Sequence, residues 1–283
     1  GARPVFADID PVTGNMDPGD VEKKITAKTK AVVYVDYAGL PADIAAFRKL
    51  AKKHGLILIE DAAQGLGATY RGKKIGTQAD MTMFSFHPVK SITTGEGGVI
   101  TTNDRAYYAT LLAFRSHGLV KEKHLLVEKY YAAWHQEVHD LGFNYRLTDM
   151  QAALGTSQMK RLDSFVAARK KASLRYDRLL KGISTLTIPA SNDTSAWHLY
   201  VIRVPQHRRD AIFTKLRERG IGVQVHYLPV YWHPYYRRLG YRKGLCPHAE
   251  EFSLSCISIP LFPKITKNQQ SHIARTLKEM VSE

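Results

Sequence analysis

Cysteine is scarce in this chain: only Cys246 and Cys256 occur among its 283 residues. They do not form a C-x-x-C pair, and no cluster of His and Cys has the spacing of zinc ligands. The sequence therefore predicts neither a disulfide framework nor a metal site, and it favours two buried, unreactive thiols.

Long apolar runs are absent as well. No stretch of about 18 apolar residues could form a membrane-spanning helix, and the N-terminal GARPVFADID lacks the basic start and apolar core of a signal peptide. Hydrophobic residues make up 44% of the chain, which is long enough to bury a substantial core. We therefore expect a globular cytoplasmic protein that has no membrane partner.

Acidic residues are outnumbered: 26 Asp and Glu stand against 41 Lys and Arg, which gives a net charge of +15. Such a charge suits either a nucleic-acid surface or anionic small substrates and cofactors. The basic residues of RKLAKKHG and FVAARKKASLRYDRLLKG are spread along predicted helices instead of being gathered in one stripe. This pattern favours small anionic ligands, with no nucleic-acid partner.

Strand and helix patterns alternate in the first half of the chain. Helical patterns cover Asp17–Ile25 and Ala42–His54, and Gly55 is suited to end the second helix. Apolar runs predict strands at Arg3–Ile9, Lys30–Asp36, Leu56–Glu60, Met81–Phe86 and Gly98–Thr102. Because these strands are apolar throughout and mostly separated by helices, they indicate an α/β fold with a mostly parallel sheet between helices.

The second half has a different pattern. One long helical stretch is predicted from Thr148 to about Leu180. Beyond it, strand candidates at Thr185–Ile188 and His198–Val204 alternate with helices near Arg209–Arg219 and Asn268–Val281. We therefore predict a large domain over residues 1–165 and a smaller C-terminal α+β domain over residues 166–283.

Two chemically distinctive residues follow predicted strands. Asp61 comes directly after LILIE, and Lys90 follows MTMFSF on the loop SFHPVKSITTGEGG, whose glycines suit a tight turn. Taken singly, Asp61 could cap a helix and Lys90 could be a solvated cation. Together they lie at the strand ends where open α/β sheets bind ligands. Burial there would lower the pKa of the lysine toward the neutral amine that Schiff-base chemistry requires.

Three other motifs are weaker. GLGATY begins like a dinucleotide-binding fingerprint, but Tyr70 stands at the place of the third glycine. His135 and His139 are four residues apart, yet the glutamate between them is misplaced for a zinc protease motif. Ser85 and Ser91 lack the G-x-S-x-G context of a hydrolase nucleophile.

Five segments, in order over nearly the whole chain, carry a resemblance to a known family. They are EDAAQGLGATYRGKKIG, SFHPVKSITTGEGGVITTND, RSHG, LGFNYRLTDMQAALGTSQMKRLD and GIGVQVHYLPVYWHPYY. Together they resemble the DegT/DnrJ/StrS family of nucleotide-sugar aminotransferases. The resemblance implies fold type I of the pyridoxal 5′-phosphate (PLP) enzymes, as in aspartate aminotransferase, and a homodimer with its active sites at the subunit interface.

The resemblance also assigns cofactor-binding residues. Lys90 matches the lysine that binds PLP covalently and performs catalysis, and Asp61 matches the acid that pairs with the pyridine nitrogen. Gln64 matches a position that contacts the ring or its phenolic oxygen, and Ser85 matches a donor to the phosphate. Asn144 matches an asparagine that reaches the phosphate of the cofactor in the neighbouring subunit.

For substrates, the resemblance implies a two-stage transfer of an amino group from L-glutamate to the 4-keto carbon of a UDP-linked sugar. Arg146 could hold an anionic group, and His226 and Tyr227 could line the sugar site, although each could equally be structural. The segments VYVDYAGLPADI, AWHLYVIRV and VHYLPVYWHPYY leave two products open. These are UDP-4-amino-4,6-dideoxy-N-acetyl-β-L-altrosamine and UDP-4-amino-4-deoxy-L-arabinose.

Two rival functions remain. Sugar dehydratases of this family carry histidine in place of the lysine, so Lys90 argues against that reaction. A non-catalytic sensor or nucleic-acid binder is disfavoured by the pair of Asp61 and Lys90.

The start of the sequence departs from the family pattern. Family members carry a further segment before the strand that is predicted at Arg3–Ile9. That segment supplies a helix N-terminus for the cofactor phosphate and an aromatic side chain that stacks on the ring. We therefore expect that part of the cofactor site lies in a segment missing from this sequence.

Overall fold

The computed structural model describes residues 1–129, 131–190 and 192–282. In chain order, its strands are β1 (Ala31–Val35), β2 (Ile57–Asp61), β3 (Thr69–Tyr70), β4 (Lys73–Lys74), β5 (Met81–Ser85), β6 (Gly98–Thr101), β7 (Leu119–Val120), β8 (Glu137–Val138), β9 (Tyr200–Arg203) and β10 (Cys256–Ile259). Its α-helices are α1 (Pro18–Lys24), α2 (Ile44–His54), α3 (Arg105–Arg115), α4 (Asp149–Met159), α5 (Leu162–Leu180), α6 (Gln206–Glu218), α7 (Pro234–Arg238), α8 (Pro247–Ser255) and α9 (Lys267–Ser282). Among these helices, none is long and apolar enough to cross a membrane.

The central sheet has the strand order β1-β2-β5-β6. Strands β1, β2 and β5 are parallel, whereas β6 is antiparallel to β5. The chain returns from β5 to β6 through the loop of residues 86–97 without a crossover helix, and such a short return produces an antiparallel pair. The predicted mostly parallel sheet is therefore confirmed, with β6 as its exception.

The two faces of this sheet differ in exposure. On one face, Tyr34 is fully buried, and the ring of Phe47 from α2 stacks on it with 4.8 Å between centroids. Helix α2 forms where it was predicted, because Asp43 caps its first turn and Gly55 ends it at φ 64°. The opposite face carries Val33 and Ile100, which are 54% and 45% exposed.

Three predicted elements are wrong. The strand predicted at Thr185–Ile188 does not form, because only Thr187 pairs there, in an isolated β-bridge to Arg203. The segment Arg3–Ile9 is not a strand, because only Ile9 makes a β-bridge, to Met16. Its Phe6 instead packs against the rings of three tyrosines, Tyr231, Tyr236 and Tyr241.

The long helix predicted from Thr148 to about Leu180 is divided into α4 and α5. Arg161 between them has φ −109° and ψ 0°, which lies outside the helical region. Thr148 caps α4 in a reciprocal arrangement with Gln151, so the predicted start is correct.

The buried apolar side chains form two clusters. One joins α1 and α2 to the central sheet, and the other joins α5, α6 and α9 to the β9–β10 pair. The domain boundary predicted between residues 165 and 166 falls inside α5, whose Val166 packs on the first cluster and whose Ala172 belongs to the second. The boundary itself stays a prediction.

The cysteines behave as expected. Cys246 and Cys256 are both buried and unpaired. Burial raises the pKa of each thiol to about 11, so both are protonated and poorly reactive at neutral pH.

The segment between β1 and α2 makes a close backbone approach near the sheet edge. Gly39 has φ 93°, and its carbonyl accepts a hydrogen bond from Ala196 N at 2.8 Å. A Cβ at Gly39 would lie 2.9 Å from His198 N and 3.0 Å from both Gln64 O and Trp197 N. Only glycine fits this position, because both the positive φ and the neighbouring backbone exclude a side chain.

We expect Gly39→Ala to lower the free energy of unfolding by about 2–4 kcal/mol, since it adds steric overlap to backbone strain. The matched control is Gly220→Ala, where φ is 76° and no atom lies within 4 Å of the added Cβ. That control should lower the free energy of unfolding by about 1 kcal/mol, because it adds backbone strain without steric overlap. Urea denaturation measures both, and equal losses would contradict a steric role for the Gly39 contact.

Candidate active site

The acid and the amine predicted to form a site lie at the same sheet edge. Asp61 is the last residue of β2 and is in register with Met83 of β5, two residues before the end of that strand. Lys90 lies on the loop after β5 and is partly buried. Burial lowers the pKa of the Lys90 ammonium, and the negative charge of Asp61 opposes that shift in part. The two residues therefore interact electrostatically, which agrees with the prediction from their positions after β2 and β5.

The loop that carries Lys90 is held by its own backbone. Lys90 N donates to His87 O at 2.9 Å, and Thr94 N donates to Phe86 O at 3.0 Å. The loop closes where Phe86 N donates to Gly97 O at 2.8 Å. Gly95 has φ 81°, so the tight turn predicted from the glycines is confirmed.

Gln64 connects two segments that are far apart in the sequence. Its Oε1 accepts from Ala38 N at 2.7 Å, and its Nε2 donates to the Tyr227 hydroxyl at 3.1 Å. The side chain is only 6% exposed, so these bonds fix which way the amide points. Burial and the charge of Asp61 raise the pKa of Tyr227, and it remains a neutral phenol beside the acid.

His226 is fixed from both sides. Its Nδ1 lies 2.8 Å from Ser258 Oγ, and its carbonyl accepts from the Tyr37 hydroxyl at 2.5 Å. Burial, together with the charge of Lys90, lowers the pKa of His226. The imidazole is therefore held neutral near Lys90.

Sequence reasoning missed His198, which also interacts with Lys90. It is 7% exposed, and its Nδ1 has no hydrogen-bond partner among the described residues. Burial, followed by the charges of Lys90, Arg169 and His226, lowers its pKa to about 3. The segment AWHLYVIRV contained a usable signal, since His198 opens the apolar strand predicted at His198–Val204 and histidine is uncommon among fully buried residues.

Arg169 positions the backbone at His198. Its Nη1 donates to Leu261 O at 2.8 Å, to His198 O at 3.2 Å and to Trp197 O at 3.4 Å. The guanidinium is buried, and burial lowers its pKa to about 10. Three carbonyls thus replace the water that this cation loses.

The remaining predicted residues lie at the margin or outside this group. Ser85 ends β5, and its Oγ accepts from His87 N at a long 3.4 Å. Asn144 pairs with Ser116 through the backbone, and its side chain is exposed, as is that of Arg146. Within the part of the chain that the structure describes, neither residue contacts Asp61 or Lys90.

The group as a whole combines one acid, one amine and neutral polar side chains. In residues 1–129, 131–190 and 192–282, no group of three or more His, Cys, Asp and Glu is placed to hold a metal ion. A partly buried amine of lowered pKa can act as a nucleophile or a base, and the acid beside it can pair with a cationic nitrogen. This chemistry suits a carbonyl compound that carries a basic ring.

Comparisons with known proteins agree with this geometry. Residues 1–278 match the model of the DegT/DnrJ/EryC1/StrS aminotransferase family. The spore coat polysaccharide biosynthesis protein SpsC of Bacillus subtilis is 36% identical, over 99% of this chain and 74% of that protein. The UDP-4-amino-4,6-dideoxy-N-acetyl-beta-L-altrosamine transaminase of Helicobacter pylori is 37% identical, over 98% of this chain and 72% of the transaminase.

Solved structures give the same result. Helicobacter pylori PseC, an aminotransferase of pseudoaminic acid biosynthesis, superposes with a TM-score of 0.91 at 36% identity, over 99% of this chain and 74% of PseC. The PLP form of the sugar aminotransferase Spr1654 from Streptococcus pneumoniae superposes with a TM-score of 0.90 at 30% identity. The match covers 100% of this chain and 76% of Spr1654. The predicted fold class is confirmed, and the chain belongs to the DegT/DnrJ/EryC1/StrS aminotransferase family.

Proposed function

We propose that this chain is a PLP-dependent aminotransferase that moves the amino group of L-glutamate to the 4-keto carbon of a UDP-linked deoxy sugar. One observation carries the proposal. The Lys90 amine, whose pKa is lowered by burial, lies within the electrostatic influence of Asp61 at the carboxyl edge of the sheet, in a chain of an aminotransferase family.

The residues present fit PLP. Its aldehyde requires an amine that loses its proton easily, which matches Lys90. Its pyridine nitrogen requires a carboxylate, which Asp61 provides; the Asp61 Oδ1 accepts from Ala63 N at 3.0 Å.

When bound, PLP supplies the electron sink for the carbanion that forms when the substrate loses a proton. Lys90 Nζ would hold the cofactor and then take and return the proton at the substrate carbon. The Asp61 carboxylate would keep a proton on the pyridine nitrogen. Gln64 would contact the ring or its phenolic oxygen, and Ser85 would bind the phosphate.

The sugar is proposed from the Helicobacter pylori transaminase, whose name specifies an N-acetyl-altrosamine product. We propose that the present chain forms UDP-4-amino-4,6-dideoxy-N-acetyl-β-L-altrosamine. His226 and Tyr227, which border the Lys90 group, would line the sugar site. Arg146 would hold an anionic group of a substrate.

We also propose a homodimer. Large apolar side chains are exposed on the segment after β8, where Leu141 is 92%, Tyr145 is 67% and Met150 is 82% exposed. Apolar surface of this extent is typical of a protein interface. Asn144 and Arg146 belong to the same segment, and in such a dimer they would reach the site of the neighbouring subunit.

Lys90→Ala should abolish the visible absorption band of lysine-bound PLP. It should also reduce transamination by roughly 100-fold to 10,000-fold, because the residue that moves the proton is lost. Lys73→Ala is the control, since Lys73 is an exposed lysine on β4. An unchanged band in Lys90→Ala, or no band in the unmutated protein with PLP, would contradict the proposal.

Asp61→Asn keeps the shape of the side chain but removes its charge. We expect the loss of a charged hydrogen bond worth about 1.5–3 kcal/mol, which corresponds to roughly a 10-fold to 150-fold fall in kcat. Asp193→Asn removes a charge that is 86% exposed and should leave kcat unchanged. Equal rates for both variants would exclude Asp61 from the site.

A panel of UDP-4-keto sugars with L-glutamate tests the substrate, with products identified by mass spectrometry. We expect the 4-keto-6-deoxy-N-acetyl sugar to be aminated with the highest kcat/KM. If the 4-keto pentose were preferred, the sugar assignment would be wrong while the aminotransferase assignment would stand. If no sugar accepted an amino group, the proposed function would fail.

A further inference from the structure

Two carboxyl groups are buried on the face of the sheet opposite to Asp61. Asp36 directly follows β1, and Glu60 is the residue before Asp61 on β2. Both are 0% exposed. Acidic side chains this deeply buried require compensation, because removing a carboxylate from water is costly.

Hydrogen bonds account for only half of their oxygens. Asp36 Oδ1 accepts from Ala42 N at 3.0 Å, and Glu60 Oε2 accepts from Thr82 Oγ1 at 2.7 Å. Asp36 Oδ2 and Glu60 Oε1 have no such partner among the described residues. Both carboxyl groups lie on the same buried face of neighbouring strands, and each acts electrostatically on the other. Since ionised carboxylates only accept, a hydrogen bond between the two free oxygens requires a proton.

Among the residues that the structure describes, no cation takes the place of that proton. The groups that act on the pair are the Tyr34 hydroxyl on β1, the charge of Asp61 on β2, the Thr82 hydroxyl on β5 and the backbone of Gly76. From α2, the stacked ring of Phe47 covers Tyr34. In the described ranges, neither Asp36 nor Glu60 forms an ion pair with a lysine, arginine or histidine.

We propose that Asp36 and Glu60 share one proton and act as positioning residues for Asp61 and Gln64. The connection to Asp61 is direct, since Asp36 N donates to Asp61 O at 3.0 Å and Glu60 precedes Asp61 in the chain. The connection to Gln64 runs through the turn after Asp36. Asp36 Oδ1 closes that turn on Ala42 N, and Ala38 N within the turn holds Gln64 Oε1.

The shared proton links the end of β1, which carries Asp36, to the end of β2, which carries Glu60. A Cβ at Gly65 would lie 2.8 Å from Asp36 Oδ2, so the loop that carries Gln64 packs directly on the pair. If both acids were ionised, their repulsion would push the end of β1 away from β2. The hydrogen bonds from Asp36 N to the Asp61 carbonyl and from Ala38 N to the Gln64 amide would then be weakened.

The pair makes stability depend on pH. Burial and the charge of the partner raise the pKa of Asp36 from 3.8 to about 8, and burial also raises the pKa of Glu60. A raised pKa in the folded state means that the protonated form is stabilised by folding. This contribution is complete below the unfolded pKa of 3.8 and is lost as pH rises through about 8.

Infrared difference spectroscopy on the full chain without added cofactor tests the shared proton. Spectra of the unmutated protein at about pH 6 and about pH 10 should differ by the C=O stretching band of a protonated carboxylic acid. Asp36→Asn and Glu60→Gln, which mimic a protonated acid, should each lose that band completely. Asp163→Asn should retain it, because Asp163 is 85% exposed and pairs with Lys74.

Thermal unfolding provides the second readout. The midpoint of the unmutated protein should fall between about pH 6 and about pH 10, and the fall should be smaller in Asp36→Asn than in Asp163→Asn. The inference is overturned if the unmutated protein has no acid band at about pH 6, or if the band persists in both pair variants. The unmutated spectrum decides this even if the variants do not fold, and neither readout depends on the proposed aminotransferase activity.

Discussion

Hydrogen bonds at Ala38 and Gly39 join the parts of the molecule that form the site. Ala38 N holds Gln64 Oε1 at 2.7 Å, and Ala38 O accepts from His198 N at 2.9 Å. Gly39 O accepts from Ala196 N, so the turn after β1 is bonded to the segment that leads into β9. The edge of the central sheet and the second apolar cluster therefore meet at this turn. These bonds, together with those of Arg169, fix His198 relative to the sheet edge that carries Asp61.

Burial then determines the charges in the site. The pKa of the amine of Lys90 and those of the imidazoles of His198 and His226 are all lowered, chiefly because burial disfavours the charged form. Asp61 supplies negative charge next to them, and Asp36 and Glu60 lie beneath it on the other face of the sheet. Burial thus favours the uncharged form of each of these basic groups.

Much of the fold was predictable from short segments. Helix α2 has its cap, its apolar face and its terminal glycine within one stretch, so its bounds are nearly those predicted. The predicted strand at Arg3–Ile9 is wrong because an apolar segment forms a strand only if it can pair with a sheet edge. Its Phe6 packs against tyrosine rings instead. The direction of β6 was readable in principle, because the loop between β5 and β6 is too short for a crossover helix and gives an antiparallel pair.

In the site, the local sequence determined which residues follow the strands. From this alone, Asp61 and Lys90 were predicted to lie at the same sheet edge. The reason is physical: parallel strands end at one edge, so two residues that follow such strands become neighbours. His198 and the partners of Gln64 come from distant segments, and their approach depends on how the two apolar clusters pack. The shared burial of Asp36 and Glu60 is of the same kind. Only the tertiary structure could decide it, because nothing within either segment says that water is excluded from both.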